Sequence, residues 1–142
     1  MTLKMSMDDL AQFMAAEFPQ VADDFVVEDL RPMHLTMRLK VSTRHLRPGG
    51  TVSGPAIFAL ADVGVYLAVL SMIGPQALAV TTNCSLDFMR KPAAGVDLIA
   101  DIRLLKLGRF LAVGDALIRS YGADVPAARA SLTYSIPPAL RG

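Results

Sequence analysis

One carboxylate stands out in this sequence. Asp62 is the only residue with a formal charge between Arg47 and Asp87, and it lies within the apolar run AIFALADVGVYLAVLSMIG. Burying a charge costs free energy unless the group is paired or used. A carboxylate in this position can accept a proton, attack a carbonyl carbon or pair with a buried donor such as Arg47. Buried ionisable groups are often functional, so a functional role and structural pairing are the two interpretations of Asp62.

The run that carries Asp62 has the start and stop signals of a long helix. Ser53 is a suitable N-cap, Pro55 falls in the first turn, and Gly74-Pro75 ends the run. The N-terminus of a helix presents partly positive amides, so the amide of Gly54 suits a carbonyl oxygen. For Ser53, a capping role and a substrate contact both remain open. Because the run is apolar on nearly every side, we expect this helix to be buried all round.

The remaining sequence predicts elements that surround this helix. Residues 8–18 have helical spacing of apolar side chains, and residues 34–41 alternate as a half-buried strand. Residues 77–89 alternate little, so we expect a strand covered on both faces. Three more strands are predicted at residues 96–107, 109–121 and 128–136, the first two joined by a tight hairpin. The sequence therefore predicts an α+β fold in which an antiparallel sheet wraps one helix, as a single domain over residues 1–142.

Composition excludes several functional classes. The net charge is +1, without the basic stripe that nucleic-acid binding requires, so no nucleic-acid partner is expected. Cys84 is the single cysteine, which excludes a disulfide framework, and it is most simply a small buried hydrophobe. Neither His34 nor His45 has a second ligand at metal spacing. We therefore expect neither a metal nor another cofactor.

The apolar run is long enough to raise a membrane-spanning interpretation, which we disfavour. Asp62 lies near its middle and would cost roughly 2.5–3.5 kcal/mol on insertion scales. The N-terminus carries Asp8, Asp9 and Glu17 where a secretory signal would have its apolar core. The single cysteine is compatible with a reducing compartment. We therefore expect a cytoplasmic protein with no membrane partner.

Four motifs follow one another along this sequence. They are Ser53-Gly54-Pro55, Leu60-Ala61-Asp62, Phe88-Met89-Arg90-Lys91-Pro92-Ala93 with Gly95, and Lys106-Leu107-Gly108-Arg109. They resemble the motifs of the PaaI-like acyl-CoA thioesterases, which typically show His-Gly-Gly, an apolar run into Leu-Ala-Asp, a strand ending in Phe-Leu-Arg-Pro-Ala with a glycine, and a lysine–glycine–arginine hairpin. That family has the hotdog fold, a curved antiparallel sheet around one long central helix. The resemblance extends from about residue 30 to the final strand.

The sequence departs from the family pattern around the retained acid. Ser53 stands at the position of the family's histidine, and Pro55 replaces its second glycine. A polar residue, commonly asparagine, stands six places before the histidine in some members, and here it is Arg47. A hydroxyl residue that helps to place the nucleophilic water corresponds best to Thr81, since the side chain of Thr82 points to the other side of a strand.

The resemblance implies an acyl-CoA thioesterase that works without a metal. Asp62 would act as general base or nucleophile, and the amide of Gly54 would stabilise the oxyanion. Ser53 and Thr81 complete the implied catalytic set. The implied substrate-binding residues, which include the cations suited to the phosphates of coenzyme A, are Arg47, Arg90, Lys91 and Arg109.

Two alternatives remain beside this interpretation. Ser53 in place of histidine makes a non-catalytic acyl-CoA-binding protein credible. A hotdog dehydratase or hydratase normally pairs a histidine with an acid in the site, and no histidine follows His45, so this alternative is weaker. The sequence does not identify the acyl group.

We expect a homodimer, with a dimer of dimers as the larger alternative, because the strand at residues 77–89 would otherwise be an unprotected edge. The resemblance further implies that each site is shared between two subunits.

Overall fold

The computed structural model describes residues 2–138. A six-stranded antiparallel sheet wraps one long helix, with the strands in the order β1-β2-β4-β5-β6-β3. This is the hotdog arrangement, so the predicted fold class is confirmed. The elements are α1 (Met7–Glu17), β1 (Phe25–Arg31), β2 (His34–Leu39), α2 (Gly54–Ile73), β3 (Val80–Phe88), β4 (Leu98–Leu107), β5 (Leu111–Ser120) and β6 (Ala128–Ser135).

Helix α2 begins and ends where the sequence predicts. The Ser53 hydroxyl accepts a hydrogen bond from the Ala56 amide at 3.3 Å, and Gly74 follows the last turn with φ 93°. By length and composition alone α2 could cross a membrane, with a mean hydropathy of 2.2. However, 67% of its most apolar window is buried inside the fold, as expected of a core helix.

Two glycines let α2 lie very close to the sheet. A Cβ atom at Gly64 would lie 2.9 Å from Cδ1 of Ile102 on β4. A Cβ atom at Gly114 on β5 would lie 3.0 Å from Cγ1 of Val65 on α2. Both distances are below ordinary van der Waals contact, so a larger residue at either position would push the helix and sheet apart. This close packing fixes the distance between Asp62 and the sheet, because Asp62 lies one helical turn or less from both contacts.

The structure contains a hairpin that the sequence did not predict. β1 and β2 pair through a two-residue connection at Pro32 and Met33, whereas we expected one strand before α2. Met33 has φ 66°. Turns with a positive φ at this position usually carry glycine or asparagine, so the sequence offers no ordinary turn signal there.

The strand predicted at residues 77–89 is shorter and more exposed than expected. β3 begins at Val80 because the preceding residues form a turn, in which the Ala79 amide donates to the Gln76 carbonyl at 3.0 Å. The prediction of cover on both faces is wrong for the single chain. Val80 is 54% exposed and Phe88 is 57% exposed, and β3 lies at an edge of the sheet.

A buried contact between His45 and Asp24 anchors the loop that leads into α2. His45 Nδ1 accepts a hydrogen bond from the Ser42 amide at 2.9 Å, and its Nε2 lies 3.4 Å from Oδ2 of Asp24. Although burial favours the neutral acid, hydrogen bonds from Arg44 and His45 lower the pKa of Asp24 below its ordinary value. The carbonyl of His45 then accepts from the Ser53 amide at 2.8 Å, which fixes the start of α2.

Candidate active site

Asp62 projects from the middle of α2 toward two hydroxyl groups on the sheet. The Thr81 hydroxyl donates to Oδ1 of Asp62 at 2.5 Å. The Tyr134 hydroxyl lies 2.6 Å from the same Oδ1 and 2.8 Å from the carbonyl oxygen of Asp62. Because these hydrogen bonds end on Oδ1, they orient the carboxylate and leave Oδ2 for a water molecule or a substrate.

Sheet register explains why Thr81 and Tyr134 meet at one oxygen. Thr81 on β3 is the direct cross-strand partner of Tyr134 on β6, so their side chains lie on the same face. The register shifts between Thr81 and Asn83, which is a β-bulge of the kind often found beside active sites. Thr82 points away from Asp62, and its hydroxyl donates to the Thr133 carbonyl at 3.3 Å.

Electrostatics keep the tyrosine as a hydrogen-bond donor. Burial, together with the neighbouring carboxylate of Asp62, raises the pKa of the Tyr134 phenol far above its ordinary value. Burial and then the charge of Asp62 also raise the pKa of the Cys84 thiol. Cys84 is therefore a neutral thiol packed against the core, although it is half-buried and not fully buried as the sequence predicts.

A cavity of about 350 Å³ opens beside Asp62. Its polar end consists of Asp62, Thr81 and Tyr134, and its other walls are mainly apolar. Its lining includes residues of α1, α2, β3 and the segments between them, namely Met14, Phe18, Val21, Val63, Tyr66, Ala77, Ala79 and Val80. Most of α2 is enclosed by the fold, but Asp62 is only half-buried. Its carboxylate is therefore accessible to a small molecule.

The other predicted site residues mostly surround a second cavity, of about 580 Å³, at the N-terminus of α2. Gly54, Arg47, Arg90 and Lys91 line it. Ser53 is the N-cap of α2 and is not among its lining residues. The Arg90 guanidinium donates to the Pro126 carbonyl at 2.5 Å. Two candidate phosphate-binding cations, Arg90 and Lys91, thus lie together with Arg47 and the candidate oxyanion amide, apart from the acid.

Within one chain, the predicted catalytic residues do not form one site. Gly54 and Asp62 are eight residues apart on one helix, which separates them by about 12 Å along its axis. Arg109 lies in the β4–β5 hairpin, where the neighbouring Phe110 carbonyl accepts from the Ile136 amide. That hairpin adjoins the Val80 end of β3, whereas Arg90 follows its Phe88 end. The structure brings Thr81 to Asp62 but leaves Gly54 and the cations elsewhere.

Tyr134 is the residue of this site that sequence reasoning missed. The alternation in β6 predicts that its side chain points inward, and a buried tyrosine hydroxyl normally finds a hydrogen-bond partner. That signal shows that a partner exists without showing which one, because Asp62 is 72 residues away. Arg47, considered as a buried partner for Asp62, instead lines the second cavity and is exposed.

Across residues 2–138, no group of three His, Cys, Asp or Glu side chains could hold a metal ion.

Comparison with known proteins identifies related sequences. Residues 49–127, more than half of the chain, match the thioesterase superfamily. A curated protein of Pseudomonas aeruginosa, described as a candidate esterase, is 31% identical over 103 residues, which are 72% of this chain and 75% of that protein.

Solved structures share both the fold and, in part, the sequence. A candidate thioesterase from Silicibacter sp. TM1040 is 57% identical, covers 97% of this chain and 96% of its own, and has a TM-score of 0.91. A variant of the phenylacetic acid degradation protein PaaI from Thermus thermophilus is 28% identical and has a TM-score of 0.72. The match covers 84% of this chain and 99% of that protein's chain. A hypothetical thioesterase from Streptococcus pneumoniae TIGR4, solved with coenzyme A, is 21% identical and has a TM-score of 0.75. The match covers 93% of this chain and 97% of that protein's chain. The PaaI-like resemblance is confirmed, while the last neighbour shows the fold alone.

Proposed function

The chain belongs to the thioesterase superfamily, and from that premise we propose that it hydrolyses acyl-CoA thioesters to a free acid and coenzyme A. The observation that carries this proposal is the carboxylate of Asp62, oriented by Thr81 and Tyr134 at the polar end of an apolar cavity. The coenzyme A bound by the Streptococcus pneumoniae neighbour supports the choice of substrate. The proposal treats residues 1–142 as one hotdog domain and places the reaction in the cytoplasm.

The proposed reaction uses only protein groups and water. Oδ2 of Asp62 either takes a proton from water as it attacks the thioester carbonyl, or attacks that carbon itself. A helix N-terminal amide, that of Gly54, donates to the oxyanion that develops. When the oxyanion collapses, the carbon–sulfur bond breaks, and the thiolate of coenzyme A leaves and takes up a proton. Direct attack would form an anhydride with Asp62, which water then hydrolyses.

We propose that the complete site forms between two chains paired along β3. Of the two edge strands, β1 carries three charged residues, which discourage pairing. β3 carries a single charged residue, Asp87, and exposes Val80 and Phe88. Pairing β3 with its symmetry mate would cover this edge and continue the sheet into a homodimer. A dimer of dimers remains the larger alternative.

A two-fold axis through β3 would unite the separated halves of the site. Asp62 lies beside Thr81 near the start of β3, whereas a Cβ atom at Gly54 would lie 3.3 Å from Phe88 at its end. Antiparallel symmetric pairing places the start of each strand beside the end of the other. Asp62 of one chain would then face the partner's Gly54.

The same symmetry would gather the proposed coenzyme A contacts. Arg109 lies at the Asp62 end of the sheet, and Arg47, Arg90 and Lys91 lie around Gly54 at the other end. Across the two-fold axis, Arg109 would approach the partner's Arg90 and Lys91. Guanidinium and ammonium groups held together in this way suit a diphosphate.

The test of the proposed function is hydrolysis of butanoyl-CoA, octanoyl-CoA, hexadecanoyl-CoA and phenylacetyl-CoA, followed by the release of free thiol. We expect turnover of at least one of these thioesters by protein treated with a chelator. Binding of acyl-CoA without thiol release would instead support the non-catalytic acyl-CoA-binding alternative. Hydration of an enoyl-CoA without thiol release would support the hydratase alternative.

We expect the two hydroxyl groups that hold Asp62 to matter for turnover. Tyr134→Phe and Thr81→Val each remove one hydrogen bond to a charged group, which is worth roughly 1.5–3 kcal/mol. Each variant should therefore lower kcat by about ten-fold or more, with a smaller change in KM. Steady-state kinetics measure both parameters.

Thr82→Val is the matched control for this prediction. It makes the same change one residue along the strand, on the face turned away from Asp62. Its kinetics should match those of the unmodified protein. Equal losses in Thr81→Val and Thr82→Val would show that the effect comes from the strand and not from the contact with Asp62.

A further inference from the structure

We propose that the cavity beside Asp62 is the acyl subsite, that the segment from α1 to β1 forms its end wall, and that it selects uncharged apolar acyl groups of medium length. This inference rests on the proposed function and specifies its substrate. It assigns a role in specificity to Met14, Phe18 and Val21, which precede the part of the chain that carries the catalytic motifs.

The distribution of polar groups around the cavity favours an apolar ligand. The side-chain hydroxyls of Thr81 and Tyr134 are bonded to Asp62, where the reacting carbonyl would lie. The one other side-chain hydroxyl in the lining, that of Tyr66, donates to the Ala77 carbonyl at 3.3 Å. Beyond the reacting end, the lining side chains therefore offer no free hydrogen-bond donor to a polar group of the substrate.

A row of aromatic rings shows the direction in which the acyl group would extend. The ring centroids of Tyr134 and Tyr66 are 5.9 Å apart, and those of Tyr66 and Phe18 are 5.8 Å apart, with the last pair edge to face. The row runs from the oxygen of Asp62 toward the segment that follows α1. Phe18 thus contacts Tyr66, which in turn contacts Tyr134, the residue that holds Asp62.

The end wall is tied to the core at several points. Leu10 and Met14 of α1 are buried, and the amide of Lys4 donates to the Ser71 carbonyl of α2 at 2.6 Å. The amide of Val21 donates to the Phe18 carbonyl at 3.1 Å, which closes the turn after α1. These contacts give the wall a defined position and therefore let it limit the length of the ligand.

The size of the cavity sets the scale of the acyl group. An apolar cavity of about 150 Å³ holds one benzene ring. Part of the cavity of about 350 Å³ must hold the reacting carbonyl and water. The remaining volume has room for an aromatic ring with its linker or for a medium-length acyl chain. A sixteen-carbon chain would have to displace the end wall.

The experiment compares kcat/KM for butanoyl-CoA, octanoyl-CoA and hexadecanoyl-CoA, with phenylacetyl-CoA to separate aromatic from linear groups. We expect octanoyl-CoA to exceed hexadecanoyl-CoA in the unmodified protein. Phe18→Ala should raise the ratio of hexadecanoyl-CoA to octanoyl-CoA by ten-fold or more, because it opens the end wall. Val21→Phe should lower the ratio of octanoyl-CoA to butanoyl-CoA, because it fills the same space.

Phe13→Ala is the matched control. Phe13 lies in α1, one turn before Phe18, and its ring lies 6.1 Å from that of Tyr66, yet it does not line the cavity. Phe13→Ala removes an aromatic ring that packs on Tyr66, as Phe18→Ala does, but it should leave the chain-length profile unchanged. Profiles that are the same for Phe18→Ala, Phe13→Ala and the unmodified protein would overturn the inference while leaving the proposed function intact.

A second comparison tests the polarity of the cavity. Succinyl-CoA has the same chain length as butanoyl-CoA but ends in a carboxylate, which would be buried without a partner. We expect its kcat/KM to be lower by a hundred-fold or more. Equal turnover of the two thioesters would overturn the inference.

A binding measurement covers the case in which no thioester is hydrolysed, which would reject the proposed function. Octanamide is a neutral probe of the same length as the acyl group. Calorimetry should show that it binds the unmodified protein and the Phe13→Ala variant, and that Val21→Phe weakens binding by at least ten-fold. Equal binding to all three proteins would overturn the cavity assignment independently of catalysis.

Discussion

Asp62→Asn should lower thioester hydrolysis by roughly two to four orders of magnitude, the usual contribution of a positioned general base, and by more if Asp62 attacks directly. The substitution keeps the shape of the side chain. The amide oxygen can accept the hydrogen bonds from Thr81 and Tyr134 that now end on Oδ1. The amide nitrogen would then replace Oδ2, which removes the proposed reacting atom without leaving a buried donor unpaired.

The fold should therefore survive this change. An amide costs less to desolvate than a carboxylate, so we expect a melting temperature that is equal or higher. Acyl-CoA binding should change far less than turnover, because the proposed nucleotide contacts lie elsewhere. Thermal melting, binding and steady-state hydrolysis measured on the same preparation give the three quantities.

Asp101→Asn is the matched control for Asp62→Asn. It makes the same chemical change at an exposed carboxylate, which pairs with Arg119 at 3.4 Å on the outer face of the sheet. Its turnover should match that of the unmodified protein. An Asp62→Asn protein that melts much earlier yet keeps full turnover per folded molecule would show that Asp62 has a structural role only.

Gly54→Pro should lower kcat by about a hundred-fold to a thousand-fold, the usual loss when one oxyanion donor is removed. Proline removes the amide hydrogen itself and suits the first turn of a helix. Ser53 before it is already extended, with φ −72° and ψ 154°, as a residue before proline should be. Gly54→Ala is the matched control, because it adds a Cβ atom in the same place but keeps the N–H group.

The Gly54→Pro variant also tests whether each site is shared between chains. Heterodimers of one Asp62→Asn chain and one Gly54→Pro chain, purified through two different tags, should recover about half of the wild-type activity. Each such dimer would contain one site with both residues intact, because the proposed two-fold axis would pair Asp62 of one chain with the partner's Gly54. Inactive heterodimers, or sedimentation as a monomer at micromolar concentration, would contradict the shared site.

The contrast between α2 and β1–β2 shows how far local signals extend. Ser53, Pro55 and Gly74 act within one or two turns of their own position, so the bounds of α2 could be predicted from the sequence. The turn at Met33 has a positive φ without glycine or asparagine, so nothing local indicated that hairpin. The turn holds because β1 pairs with β2 and β2 with β4, which are contacts made by the folded sheet.

The candidate site likewise combines features that depend on neighbouring residues with contacts that form only in the folded chain. The sequence by itself determined that a carboxylate would lie in an apolar helix and that an amide would be available at the start of that helix, since both depend on neighbouring residues. Only the tertiary structure decided that Tyr134 reaches Asp62, because that contact depends on the register of β6 against β3. It also decided that Arg90 and Lys91 lie around the same cavity as Gly54, because the end of β3 packs against the start of α2.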